Sequence, residues 1–354
     1  MKQTPKALVS LFVAIAFALP ASAAQRPSHL DMARAAIETD IIPHIDAFKA
    51  AAHALPAAVE NVCTSGSADA RRALNKKFAD AVVAYAGIDY LRFGPMAEKG
   101  RREQISFWPD PRGFVGRQLR LMLLDKNEKI LEPGMLAKQS AAIQGLPALE
   151  ILITDKDKPL GPGDASQYRC KLAQAIAANL VRLADEVADG WEKPGGWKDK
   201  MLNPGPDNDT YRSAEESAVE VVKALLVGIS LTADLQLKPQ VDTKIRLTPP
   251  YQKAGLQKAF YGASVKSLNQ LYNTLHLEAY LKPELAWMKG WAVGTWRTIR
   301  SIDGAGGRAS DAHRPDTPEV REVFDRMNGF RNIISNRLSV AAGLTVGFNE
   351  LDGD

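Results

Sequence analysis

The chain has 354 residues, with 45 Lys and Arg against 41 Asp and Glu and a formal charge of +4. A balance this even, with no clustered basic stripe, argues against nucleic acid as a partner. The length exceeds the usual size of a single hydrophobic core, so one large domain or two are expected.

The first residues read as a secretory signal. Lys2 and Lys6 form a positive n-region, Ala7 to Leu19 an unbroken small and apolar h-region, and Ala21-Ser22-Ala23 a cleavage site. The h-region falls short of the roughly 20 apolar residues that span a bilayer, and no later segment offers them. No cysteine follows it to carry a lipid. Residues 1–24 are therefore expected to be removed, leaving a mature periplasmic protein with no transmembrane segment and a formal charge of +2.

Beyond the signal, alternating β-branched runs are missing while alanine and leucine recur at helical spacing, which predicts an all-α fold. Helices are predicted over 28–60, 67–92, 113–126, 134–153 and 166–191, and then over 208–237, 254–280, 284–302 and 317–340. Ser67, Asp209 and Thr317 read as N-caps, the last with Pro318 at the favoured first helical position. Asp157 to Ser166, Lys193 to Asp209, Pro249-Pro250 and Gly304 to Pro315 read as loops. A division near 193–209 gives an N-terminal helical domain over 25–195 and a C-terminal helical bundle over 205–354. The 157–166 loop is the other place where the first domain could end. Two packed bundles are the expected architecture.

Two cysteines, Cys63 and Cys170, are present. A disulfide between them is the simplest reading in an oxidising compartment, and two separate buried thiols are the alternative. The sequence has no H-E-x-x-H, G-x-S-x-G, Walker or dinucleotide glycine motif. None of the histidines, His29, His44, His53, His276 and His313, pairs with another at the i, i+4 spacing of a helical zinc site.

The first helix carries Glu38, Asp40, His44 and Asp46 around Pro43. Asp40 and His44 share a face, and carboxylate with imidazole suits iron, zinc or manganese; a solvated helix face is the plainer reading. Asp89-Tyr90-Leu91-Arg92-Phe93-Gly94-Pro95 ends an alanine-rich helix, where Arg92 suits the dipole. Ile105-Ser106-Phe107-Trp108-Pro109-Asp110-Pro111-Arg112-Gly113 is a rigid, aromatic and charged loop of the kind that lines clefts, and Arg112 can orient a carboxylate. Trp287, Trp291 and Trp296 make a stripe that reads as core packing. The run Gln144 to Glu150 places Gly145 and Pro147 inside an apolar helical stretch, Ala141 to Ile153, just ahead of one glutamate. In a helix interior these residues cost roughly 1 and 3 kcal/mol relative to alanine, and Pro147 would free the carbonyl of Ile143.

Leu91 to Pro95, Phe107 to Asp110, Gly145 to Glu150 and the terminal Gly347 to Asp354, in this order behind a signal peptide, resemble the imelysin-like periplasmic proteins. The resemblance covers essentially the whole mature chain. It implies two helical-bundle domains with a cleft between them. It also implies one of two lines of work, metallopeptidase activity or iron uptake in the bacterial envelope. The family signature is G-x-H-x-x-E, whose histidine and glutamate serve as metal ligands or catalytic groups. Gly145 and Glu150 match it, and Pro147, which has no ligand atom, stands at the histidine position.

A catalytic metal that wants three protein ligands is poorly served by one carboxylate. The resemblance therefore implies a non-catalytic binding protein associated with iron or metal acquisition. Its cleft would be lined by Arg92, Trp108, Asp110, Arg112, Gly145, Pro147 and Glu150. Iron or zinc would be its metal, held weakly by Glu150 with His44, Asp46 or Asp40. The partner would be a small ligand, a metal ion or another envelope protein. A metal-dependent peptidase using Glu150 with His44 and Asp46 is the alternative. A third reading pairs Glu150 with Arg92 or Arg112 as a buried structural bridge.

Overall fold

Pro43 and Pro239 shape the two longest irregular rods of this protein. Helices α1 (His29–Ala35) and α2 (Ile42–His53) run on through a wide π turn at Ala36–Ile41. Helices α10 (Ala214–Ser230) and α11 (Lys238–Val241) are joined in the same way by Leu231–Leu237. Each wide turn stops just short of a proline, where an extra residue relieves the clash between the ring and the carbonyl four positions back. The computed structural model describes residues 26–242, 244–305 and 317–346; the signal segment and the terminal run Gly347 to Asp354 lie outside the described residues. Among the described residues every regular element is helical.

The predicted helix over 28–60 breaks at Ala54, and α3 (Leu55–Ser65) follows, closed by Gly66 in the left-handed region at φ 60°. Ser67 caps α4 (Ala68–Ala86) by accepting from the Ala70 N–H. This helix stops before Gly87, short of the predicted residue 92, so Asp89 and Arg92 lie in the turn beyond it. Short helices α5 (Arg101–Ile105), α6 (Phe114–Asp125) and α7 (Leu146–Thr154) lead to α8 (Asp164–Glu192). Next come α9 (Trp197–Leu202), α10, α11 and α12 (Gln257–Leu275). The described chain closes with α13 (Trp287–Ala305), α14 (Pro318–Ile333) and α15 (Ser339–Ala341). Thr317 caps α14 as predicted, whereas Asp209 caps nothing. The residue before α10 is Ser213, which accepts from the Glu216 N–H, and Asp209 instead pairs with Lys200 at 3.3 Å.

Helix α8 explains how the first half holds together. Cys170, Ala173, Ala177, Leu180, Ala184, Val187 and Trp191 are buried along it in a three–four alternation, the spacing of one continuous helix face. That face packs against α2 and α3, which α4 also contacts, and α7 lies against α8 as well. Helices α10, α12, α13 and α14 of the second half pack together with α1 from the start of the chain, and α4 lies against α12. The buried apolar side chains form a connected cluster from Met32 to Leu344. In α13 the buried face is Met288, Ala292, Thr295, Trp296 and Ile299. Trp296 therefore packs on Phe330 and Tyr272, but Trp287 sits one residue off that face and is 62% exposed. Cys63 and Cys170 form a disulfide with Cα atoms 5.8 Å apart, tying α3 to α8.

Candidate functional site

Gly145 and Pro147, expected inside a helix from the apolar run around them, stand at its start. Ala141–Ile143 is a separate 3-10 turn, Gly145 is extended, and α7 begins at Leu146. Pro147 is thus in the first turn, where backbone N–H groups have no acceptor within the helix, so it frees no carbonyl and pre-sets the helical φ. Gly145 is required by space. A Cβ there would lie 2.1 Å from the Ile105 carbonyl oxygen and 2.3 Å from that of Gln104. This contact seats the start of α7 directly on the end of α5. Gln144 fixes the approach further: its side-chain amide donates to the Gln139 carbonyl at 2.7 Å, and its own carbonyl accepts from Asn179 at 3.0 Å.

Seated this way, α7 turns Glu150 into the interior, where it is 6% exposed. Its Oε1 accepts from the Ala254 N–H at 2.9 Å. Burial pushes the carboxyl above its ordinary range, opposed by that N–H and by the positive charge of Lys253. Neither Arg92 nor Arg112 is its partner, which corrects the buried-bridge expectation.

The segment that delivers Ala254 also delivers Tyr251, just after Pro249-Pro250. Tyr251 holds φ 54°, a left-handed conformation that costs a bulky residue energy and persists only where the surroundings impose it. Its ring meets Phe78 and Phe260 at centroid distances of 6.3 and 5.2 Å, and its hydroxyl shares a 2.8 Å hydrogen bond with the Ser106 hydroxyl. Nearby, the buried Tyr85 hydroxyl donates to Asp89 Oδ1 at 2.8 Å. Arg92 Nη2 lies 3.7 Å from the same oxygen. Burial raises both tyrosines well above the ordinary range. The Asp89 charge adds to this at both, and that of Glu150 adds to it at Tyr251. Tyr85, Asp89 and Arg92 are linked by polar contacts, Ser106 and Tyr251 by another, and the Phe260 ring packs against both tyrosines; with Glu150, held by Ala254 in the same segment as Tyr251, these residues make up a polar centre.

The remaining predicted site residues have other tasks. Asp110 accepts from the N–H groups of Phe114 and Val115 at 2.8 and 2.9 Å, capping α6. Trp108 donates from its indole to the Thr248 carbonyl at 2.9 Å, steadying the segment that leads to Tyr251. Arg112 is exposed in the turn before α6. His44 Nδ1 lies 2.6 Å from the Asp40 carbonyl, and its ring packs against Gly87. Asp40 is buried and accepts from the Thr39 hydroxyl. Ile45 and Phe48 take the buried face of α2, which turns Asp46 to solvent. Among the described residues no three His, Cys, Asp or Glu side chains are grouped to hold a metal ion, so His44, Asp46 and Asp40 do not join Glu150. Tyr85 and Tyr251 are not legible as site residues in the sequence, and Asp89 and Ser106 lie in the segments singled out without a role of their own. Tyr251, next to a proline pair, carries a local signal; Tyr85 carries none.

The raised carboxyl of Glu150 makes a prediction with a definite sign. A carboxyl whose folded pKa exceeds its unfolded value favours folding while protonated, and that contribution is lost as pH rises through the folded pKa. Glu150→Gln keeps an acceptor for Ala254 without the charge. It is expected to be more stable than wild type at neutral pH, with the difference shrinking toward pH 4.5, the ordinary carboxyl value. Urea melts across that range check this, and a difference that grows as pH falls would refute it.

Comparisons with known proteins bear on this geometry. The family model described as imelysin matches residues 41–284, a span that includes every residue of the polar centre. The fold is similar to that of an imelysin-like protein from Psychrobacter arcticum 273-4, with a TM-score of 0.76 and 18% identity over 92% of this chain and 98% of that one. It is also similar to a protein described as an iron-regulated protein A precursor from Parabacteroides distasonis, with a TM-score of 0.69 and 12% identity over 90% of this chain and 95% of that one. A comparison with curated proteins finds no match.

Proposed function

The chain belongs to the imelysin family, and on that premise we propose that it is a non-catalytic binding protein of the periplasm, associated with iron acquisition, with the polar centre around Glu150 as its ligand site. The observation that carries this reading is Pro147 at the position of the signature histidine, with Glu150 Oε1 engaged by the Ala254 N–H. A bare metal ion does not fit the groups present. The centre offers Glu150, whose charge burial disfavours and whose Oε1 is engaged by the Ala254 N–H, and Asp89, already bonded by Tyr85, beside the guanidinium of Arg92. A metal-dependent peptidase would need His44 and Asp46 at Glu150, where they are not found. The leader sequence and the disulfide support export, and the likeness to a protein described as iron-regulated supports the link to iron.

Calorimetric titration with ferric citrate, ferrous ion and zinc ion tests this reading. An iron species is expected to bind, and Glu150→Ala to weaken it by about tenfold or more, the scale of one lost charged hydrogen bond. Unfolded casein should stay intact with any of these metals supplied. Absent or equal binding in the two proteins would remove Glu150 from the site. Proteolysis abolished by a chelator would restore the peptidase alternative.

A further inference from the structure

Arg92 is the least satisfied charged group of the polar centre. A guanidinium carries five N–H donors in a planar fork. Its one ion pair, with Asp89 Oδ1, spans 3.7 Å, well beyond hydrogen-bond length, and that oxygen already accepts from Tyr85 at 2.8 Å. The other arm is worse placed: Arg92 Nη1 is buried with no acceptor. Stranding a buried charged donor is among the more expensive features a protein can hold, and native interiors rarely leave one without a reason. Burial pulls the Arg92 pKa down, with Asp89 opposing the shift and the positive charge of Arg102 reinforcing it. The side chain is not sealed, however, being 27% exposed, and that of Arg102 is 23% exposed.

We infer that Arg92 is the docking point for an oxyanion, a carboxylate or phosphate group, carried by the ligand of the Glu150 centre. A planar fork short of acceptors and open to solvent on one side matches the geometry of such a group, while Arg102 is itself paired with Glu103. A guanidinium offers a bare metal ion no ligand atom. Iron would therefore enter as an anionic complex, with the complexing anion making the contact. The inference rests on the binding-protein reading above and names its ligand class.

The mature protein is titrated by calorimetry with sodium citrate, inorganic phosphate, ferric citrate, zinc chloride and ferrous chloride. Wild type is expected to bind at least one of the oxyanion probes, and the preference between citrate and phosphate identifies the group. Arg92→Gln should weaken that binding at least about tenfold, as expected for a charge-assisted pair. Arg92→Lys, which keeps the charge and loses the fork, should fall between, and Arg102→Gln should give a smaller loss. Thermal melts of all variants separate lost binding from lost folding; if Arg92→Gln does not fold, the lysine and Arg102 variants carry the test. Equal affinity in wild type and Arg92→Gln overturns the inference. Binding of the bare ions without any oxyanion overturns it and leaves the binding-protein reading standing. Binding of nothing overturns both.

Discussion

Gly145→Ala is expected to destabilise the protein by about 3 kcal/mol, the upper end of the range for overpacking a filled interior. Most added methyl groups can be accommodated by a neighbouring side chain that changes rotamer. Here the atoms in the way are the carbonyl oxygens of Ile105 and Gln104, at 2.1 and 2.3 Å, and both belong to the backbone. Relief requires α7 to lift off the end of α5. That motion would carry Glu150 away from Ala254 and part Ser106 from the residues around it, so ligand binding should fall with stability. Denaturant melts at fixed pH provide the measurement. A variant within about 0.5 kcal/mol of wild type would mean that the two backbones do not approach as closely as described.

Removing the covalent tie between α3 and α8 is the other large effect. The Cys63→Ser, Cys170→Ser double variant opens a loop spanning 107 positions. For a loop of that size the chain-entropy model gives a loss of ~4.7 kcal/mol, acting through the freedom returned to the unfolded chain. Reductant should produce the same shift in wild type and none in the double variant. Coincident denaturation midpoints for the oxidised wild type and the double variant would refute a stabilising role.

Much of this could be read along the chain, and the failures share a cause. The all-α class, the disulfide pair and the caps at Ser67 and Thr317 are local or pairwise properties, and the residues concerned state them directly. Pro147 was misread because its effect depends on where the helix starts, and Gly145 marks that start only once α5 is seen beneath it. Asp110 suggested a ligand-facing acid, since a carboxylate in a loop looks the same whether it meets a ligand or the N–H groups of Phe114 and Val115. The grouping of His44, Asp46 and Asp40 with Glu150 failed because apolar neighbours on α2 decide which way each side chain faces. The partner of Glu150 was beyond reach altogether. It is a backbone N–H 104 positions away, and a main-chain donor leaves no mark in residue type.

The covalent ring closed by Cys63 and Cys170 contains Tyr85, Asp89, Arg92, Ser106 and Glu150, while Tyr251 and Ala254 lie outside it. If, as proposed, the chain is exported from its N-terminus, the ring can be sealed before the remaining residues have arrived. In that interval Glu150 has no Ala254 to meet, and the Ser106 hydroxyl has no tyrosine. On the proposed reading, competence to bind would then require that the chain has been delivered past Ala254, roughly 80 residues beyond the bond that closes the ring.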